Sequence, residues 1–482
     1  MKSRFMAPLA ALLWFTTTVQ PTAAADLPTT AAAPVCPRAL TLDPNALAAE
    51  AVCLVRAYVS IDTTNPPGHE LATAQFLQGV LQREGIASTV FESTPGRANL
   101  YARLHGDGSA KALMLVHHMD VVPADTADWS VPPFAGLVRD GYVWGRGTLD
   151  NKGPGVMELL AFVMLKRLGV ALARDVVLLG VADEEQGGGK GARYMVSAHA
   201  DLFADVEFAL NEGGVMLDLP GPHTLYAVEF AQKVPLWLKL TANGPAGHAS
   251  APKPEAATHR LVRALARLEQ LQFPLVVVPA VQTVFDHRAA AMPADQRAPY
   301  ANLAASLHDN AEFRAQFMAD PHNAAMVHNS LAITMLSGSS KENVYSAQAS
   351  AVLDLRLLPG QDPEAVIAEL ERVMQESAVT IAPLLTASAH TVALDTELYR
   401  AIGALVARHT PGAVVSPSFI SGFTDCNTFR GAGIACYGFM PMHLPLAEIE
   451  RVHGRDERIA IDQLAPATLL LHELVRDVAA RR

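Results

Sequence analysis

The sequence predicts an α/β fold: a mixed, largely parallel sheet sandwiched by helices, with a smaller α+β domain inserted into it. Three observations carry this expectation. Short apolar runs, each closed by polar or acidic residues, alternate with stretches of helical periodicity, which is the pattern of buried parallel strands and their crossover helices. Near Phe230 the texture changes to alternating apolar and polar residues, as in half-exposed strands. After about Leu385 the first texture returns, so the middle stretch reads as an insertion.

In chain order, residues 45–60 and 70–84 carry helical periodicity, and residues 86–92 and 99–104 read as strands. Residues 112–116 form an apolar run that ends in His117, His118, Met119 and Asp120. A helix is expected over 155–168 and further buried strands over 175–181 and 206–210. In the middle stretch, residues 236–241 alternate, and a glycine-rich turn (NGPAGHAS) precedes a helix over 255–270. Residues 331–336 and 349–357 are strands. A helix follows, with Asp362 as its N-cap and Pro363 at its first position. Residues 273–326 read as mostly helical, with no function beyond cover or packing. The returning texture supplies a helix over 396–409, a strand over 433–440 and a terminal helix over 461–480. The domain plan is therefore 42–229 and 387–482 for the first domain and 230–386 for the inserted lid or dimerisation domain.

Half of the 482 residues are apolar and 18% are charged, which is globular composition with room for two or three domains. A net charge of −11 argues against nucleic acid or an anionic membrane surface as partner. Residues 1–25 read as a secretory signal: Lys2 and Arg4 precede an apolar stretch over 7–15, and Ala23, Ala24 and Ala25 offer a cleavage site. That stretch is too short to span a bilayer comfortably, so no membrane attachment is expected after cleavage, and the mature chain is read as secreted or periplasmic. Residues 26–41 are a flexible lead-in. Cys36, Cys53, Cys426 and Cys436 allow three pairings, of which the local pairs Cys36–Cys53 and Cys426–Cys436 are expected.

The chemistry gathers at strand ends. His118 and Asp120 are two apart, so in extended chain they point the same way, as suits a metal-ligand histidine beside a carboxylate that orients it. The next two buried runs end in Asp183, Glu184 and Glu185, and in Asn211 and Glu212. Asp150, in the turn-rich GRGTLDNKG, would join them. Ligand sites of open α/β sheets lie beyond the carboxyl ends of the strands. Carboxylates packed together repel and are costly to desolvate. Two divalent cations would offset them.

The motifs HHMDVVP, W-x-x-P-P-F, GRGTLDNKG, DEEQGG, NEGG, GHAS, ENVYSAQASAVLDLRLLPG, SGFTDCNTF and VHGRDER occur in that order. The set resembles the di-zinc metallopeptidase and aminoacylase family, which includes glutamate carboxypeptidase, carboxypeptidase S, aminoacylase and succinyl-diaminopimelate desuccinylase. HHMDVVP and the long insertion look most like the carboxypeptidase S branch. The resemblance runs from about Ala48 to the C-terminus. It implies that His118 and Glu212 hold one Zn2+, that Glu185 and His453 hold the other, and that Asp150 bridges both. Co2+ or Mn2+ also suits such ligands. It further implies Asp120 behind His118, Glu184 as general base, His248 on the scissile carbonyl, and Asn343 and Arg356 on the substrate carboxylate. Thr424 would shape the pocket. Asn151 and Asn211 depart from the commoner residues at their positions. His117 reads as a core histidine, and His443 as a weaker rival to His453.

The expected activity is metal-dependent hydrolysis of an amide bond in short peptides or N-acyl amino acids with a free carboxylate. The alternatives are a strict N-acyl-amino-acid amidohydrolase and a binding protein that has lost catalysis. A homodimer through the inserted domain is the expected assembly.

Overall fold

The strands that end at the acidic motifs lie side by side. The computed structural model describes residues 35–218, 224–290 and 292–481; the expected signal segment and most of the lead-in lie outside the described residues. Among the described residues a nine-stranded sheet forms the centre. Strand Ala110–His118 is flanked by Arg174–Val181 and Val206–Asn211, both parallel to it, and Ala435–Gly438 adds parallel to the latter. The two flanks turn antiparallel. Arg97–Leu104 and Ser88–Thr94 close one side, and Thr224–Gln232 joins the other beside Ala435–Gly438. Val414–Ile420 is the last strand there, parallel to Thr224–Gln232.

The central strands are buried on both faces, which is why they read as unbroken apolar runs rather than alternating ones. Helix Lys152–Arg167 packs against the terminal helix Ile461–Ala479 and helix Pro44–Val59 on one face. The first helix begins where its sequence says it should: the Asp43 side chain accepts from the Ala46 amide, and Pro44 opens the first turn. Both local disulfides are formed, Cys36–Cys53 and Cys426–Cys436.

The inserted sheet is antiparallel, in the order Ser330–Ser337, Gln348–Leu357, Val234–Asn243, Val379–Thr386. Its alternation is explained by helices Ala257–Leu268 and Pro363–Met374, which cover one face only. Leu236, Leu238, Leu240, Leu353 and Leu355 point into that interface and are fully buried. As expected, Asp362 caps its helix, accepting from the Glu364 amide.

The helical stretch between these strands does not join the core of the inserted sheet. Helix Pro279–Ala290 lies over Val414–Ile420, the edge of the central sheet, and Val281, Val284, Phe285, Leu307 and Phe317 belong to the main core. A three-stranded ribbon completes the frame: Arg458–Ala460 pairs with Tyr142–Trp144, which pairs with Leu137–Arg139. This pairing carries the loop holding His453 to the loop holding Asp150.

Candidate metal-dependent active site

Five chain segments meet at the carboxyl ends of the central strands. His118 is the last residue of its strand, Glu212 follows Val206–Asn211, and Glu184 and Glu185 lie on a single 3-10 turn after Arg174–Val181. Asp183 enters that turn with φ +66°, in the left-handed region that Asp tolerates better than most residues. Asp150 stands between two imidazoles. One of its carboxylate oxygens is 2.7 Å from His118 Nε2, and the other is 3.1 Å from His453 Nε2. Glu212 lies 3.5 Å from His118 Nε2, and Glu185 lies 3.3 Å from His453 Nε2.

The donor atoms fall into two groups. His118, Asp150 and Glu185 form one, and His118, Glu184 and Glu212 the other, with ligand atoms in each within 4.8 Å of one another. Glu184 and Glu185 each keep one buried carboxylate oxygen without a hydrogen-bond partner. Buried carboxylates left unpaired this way are costly, and a divalent cation offsets them. The residues present therefore fit a bound divalent metal, and the nitrogen and oxygen donors suit zinc.

Hydrogen bonds behind the rim fix its orientation. His118 Nδ1 lies 3.0 Å from the Asp120 carbonyl and donates to it, which leaves Nε2 free to act as ligand. The Asp120 carboxylate is 3.6 Å from the same nitrogen. Its closer partners are the amides of Glu184 and Glu185, at 3.1 and 3.2 Å, and Asn65 Nδ2 at 2.7 Å. Asp120 thus orients the glutamate turn at least as directly as it orients the histidine. Asn65 was not singled out from the sequence, although it stands in the turn-rich TTNPPG.

The electrostatics follow from burial. Burial pushes the carboxyls of Glu184, Glu185 and Glu212 up, and their mutual repulsion adds to it. Burial alone would lower His118, but Glu212, Asp120 and Asp150 outweigh it and hold the imidazole well above its ordinary value. Hydrogen bonds to Asp150 and Glu185 raise His453 to about 10. Asp150, bonded to both imidazoles, is held down despite its burial.

The rim opens into a cavity of about 440 Å³. Arg356, Trp237, Pro235 and Leu385 of the inserted domain line it, with Thr424, Phe423, Val215, Met440, Leu444, Ile449 and Val452. Arg356 Nε and Nη2 bind Asp354 on its own strand at 2.8 and 2.9 Å, so its ion pair and its place on the cavity wall coexist. The Thr424 hydroxyl donates to Gln232 at 3.0 Å. His248 and Asn343 adjoin each other, with the Ala249 amide donating to the Asn343 carbonyl, but neither lines this cavity. His117 is a core residue between Glu158 and Tyr58, and His443 pairs with Asp218. A larger cavity, about 1010 Å³, lies near Phe273, Arg314, Met318 and Leu331 and contains no rim residue, so its size says nothing about the chemistry.

Fold and rim together define a strand-end hydrolase site of the metal-dependent exopeptidase kind. The chain belongs to Peptidase family M20/M25/M40, whose pattern matches residues 114–477. It is 28% identical over 408 residues to the human N-fatty-acyl-amino acid synthase/hydrolase PM20D1, covering 81% of this chain and 80% of that one. It is also 28% identical over 381 residues to the probable carboxypeptidase S-like 2 of Dictyostelium discoideum, covering 77% of this chain and 72% of the other. Among solved structures it is similar to the M20 family metallo-carboxypeptidase Sso-CP2 from Sulfolobus solfataricus, with a TM-score of 0.68 at 18% identity, over 89% of this chain and 98% of that chain.

The raised rim carboxyls set a pH dependence. A group whose folded pKa is raised contributes stability that is present below its unfolded pKa and is lost as pH rises through the folded value. Glu184, Glu185, Glu212, His118 and His453 all carry that sign. Asp120 and Asp150 carry the opposite sign, but their contribution is already complete above their unfolded values near ~4. Metal-free protein should therefore lose thermal stability as pH rises from about 6.5, the unfolded histidine value, toward about 10, where His453 gives up its proton, while zinc-loaded protein should not. Differential scanning fluorimetry with and without chelator measures this, and a gap in melting temperature that stays flat across that range would contradict it.

Proposed function

We propose that this chain is an exported amidohydrolase that uses two zinc ions to cut short peptides or N-acyl amino acids with a free carboxylate. The observation that carries the reading is the carboxylate of Asp150, placed with one oxygen toward His118 and the other toward His453. His118 with Glu212 would hold one ion, and His453 with Glu185 the other. Bound there, the metal would supply polarisation of the substrate carbonyl and a lowered pKa for the attacking water. Glu184 takes the water's proton and returns it to the leaving amine. Its burial and acidic neighbours raise its carboxyl, the direction that favours accepting a proton. Asp120 holds the Glu184 and Glu185 amides, so that one glutamate serves as ligand and the other as base.

Arg356 would receive the substrate carboxylate on the edge of its guanidinium that Asp354 leaves free. Thr424 would help shape the pocket. The apolar lining from Val215, Met440, Leu444, Ile449 and Val452 favours an apolar group on the acyl side. That lining, with the printed activity of the human relative, supports a strict N-acyl-amino-acid hydrolase as the second reading. A binding protein without catalysis is disfavoured, because every expected ligand and the base are present. Two disulfides support passage through an oxidising compartment after signal cleavage. Among the described residues no helix is long and apolar enough to cross a membrane.

His248 and Asn343 fit the reading if they act on a neighbouring subunit. Strand Ser330–Ser337 is the edge of the inserted sheet and exposes Met335 and Leu336, 64% and 69% accessible, on a face suited to a second copy. The resulting homodimer would deliver His248 to the partner's scissile carbonyl as an oxyanion donor.

Three measurements test these roles. Glu184→Gln should keep its zinc and lose roughly 100-fold or more in kcat, the scale of a general base; normal turnover would reassign the base. Amidating the substrate's carboxylate should lower kcat/KM by about 2 kcal/mol or more, as for a broken charge-assisted pair. Equal rates on acid and amide would remove Arg356 from binding. Mixed dimers of His248→Ala and Glu184→Gln should recover activity that neither parent has. No recovery, or a monomer in solution, would place His248 outside the partner's site.

A further inference from the structure

The rim draws its ligands from residues more than three hundred positions apart in the chain, and Asp150 must sit within a few tenths of an ångström of its place to face both imidazoles. We infer that Glu457, working with Arg146, is the positioning residue that fixes Asp150 against His453 and so sets the metal affinity of the rim. The inference rests on the metal reading above.

Glu457 is fully buried, 0% exposed, and does not line the cavity. Its carboxylate accepts four hydrogen bonds. One oxygen takes the amides of Leu149 and Asp150, at 2.7 and 3.1 Å. The other takes the amide of Gly147 at 3.1 Å and Arg146 Nη1 at 2.6 Å. Three of the four donors are backbone amides of the loop that presents Asp150, and one is the amide of Asp150 itself. The other end of the clamp holds the late loop. Arg146 Nη2 donates to the carbonyl of Gly454, the residue after His453, at 2.8 Å, and the Gly145 amide donates to the Glu457 carbonyl at 2.9 Å. His453 itself has φ +61°, a conformation a non-glycine residue keeps only when its surroundings hold it there.

The chemistry demands a carboxylate. An ionised carboxylate offers about four acceptor sites and no donor, whereas a carboxamide would turn an N–H₂ group against amide hydrogens. The arginine is equally specific. Its planar fork reaches Glu457 with one nitrogen and Gly454 with the other, which an ammonium on a flexible stem cannot do in the same geometry. The pair therefore acts on the metal site through the backbone, with no atom of its own at the rim.

The test compares full-length Glu457→Gln and Arg146→Lys with the natural chain. Zinc affinity is read by competition with a chromophoric chelator, and folding by circular dichroism and by the melting temperature of metal-free protein. Glu50→Gln is the control. It disturbs another buried carboxylate, paired with Arg167 at the far end of helix Lys152–Arg167, roughly 24 Å along that helix from the rim. Both clamp variants should bind zinc roughly 10- to 100-fold more weakly, the usual effect of losing a partner that orients metal ligands. Glu50→Gln should lower the melting temperature and leave zinc affinity unchanged. If Glu457→Gln fails to fold, Arg146→Lys carries the same expectation, because it keeps both the charge and the carboxylate. Unchanged zinc affinity in a folded clamp variant, or an equal loss in Glu50→Gln, would overturn the inference alone. A natural chain that binds no zinc would overturn the metal reading and this inference with it.

Discussion

The crowding of carboxylates at one end of the central sheet is the constraint on which the rest of the site depends. Asp150, Glu184, Glu185 and Glu212 converge on His118 in two overlapping groups, His118–Asp150–Glu185 and His118–Glu184–Glu212, and within each the ligand atoms lie within 4.8 Å of one another. At such separations like charges repel strongly wherever water is excluded. The fold cannot relieve that repulsion by moving, because each acid is carried on the end of a buried strand or a short turn clamped from behind. Rigid strand ends impose the crowding, which a bound divalent cation would offset. A site of this kind is an expensive feature of the apo chain and a source of metal affinity in the loaded one.

Behind the rim lies a second layer of buried charge that orients rather than reacts. Arg97 pairs with Glu70 at 2.6 Å and with Asp183 at 2.7 Å, and Asn65 joins Asp183 to Asp120. Asp183 in turn accepts from the Lys190 amide, closing the loop that follows the two glutamates. Buried pairs of this sort add little net stability, since desolvation consumes most of the Coulombic gain. Their effect here is geometric. They fix the turn that carries Glu184 and Glu185.

The middle of the chain divides its labour. Its antiparallel sheet keeps a separate core and sends Trp237, Arg356 and Leu385 to the cavity wall. Its helical stretch returns to the main core and covers the edge strand Val414–Ile420. One part of the insertion thus lines the cavity, and another packs on the sheet whose strand ends carry the rim.

The sequence by itself determined most element types and the position of the acids at strand ends; the local disulfides were one of the three pairings it allowed, and the ligand grouping was what the resemblance implied. These are local properties: buried strands read as apolar runs, half-buried ones as alternation, and caps as Asp before Pro. Strands Thr224–Gln232 and Val414–Ile420 were not legible. The first is buried along nearly its whole length and so shows no alternation, and the second is interrupted by Pro417. Only the tertiary structure decided that the helical stretch belongs to the main core, that Asp120 holds the glutamate turn, that His248 stands away from its own chain's cavity, and that Glu457 grips the Asp150 loop. Each of these depends on contacts between residues far apart in the chain. Sequence periodicity records which face of an element is buried, but not what buries it.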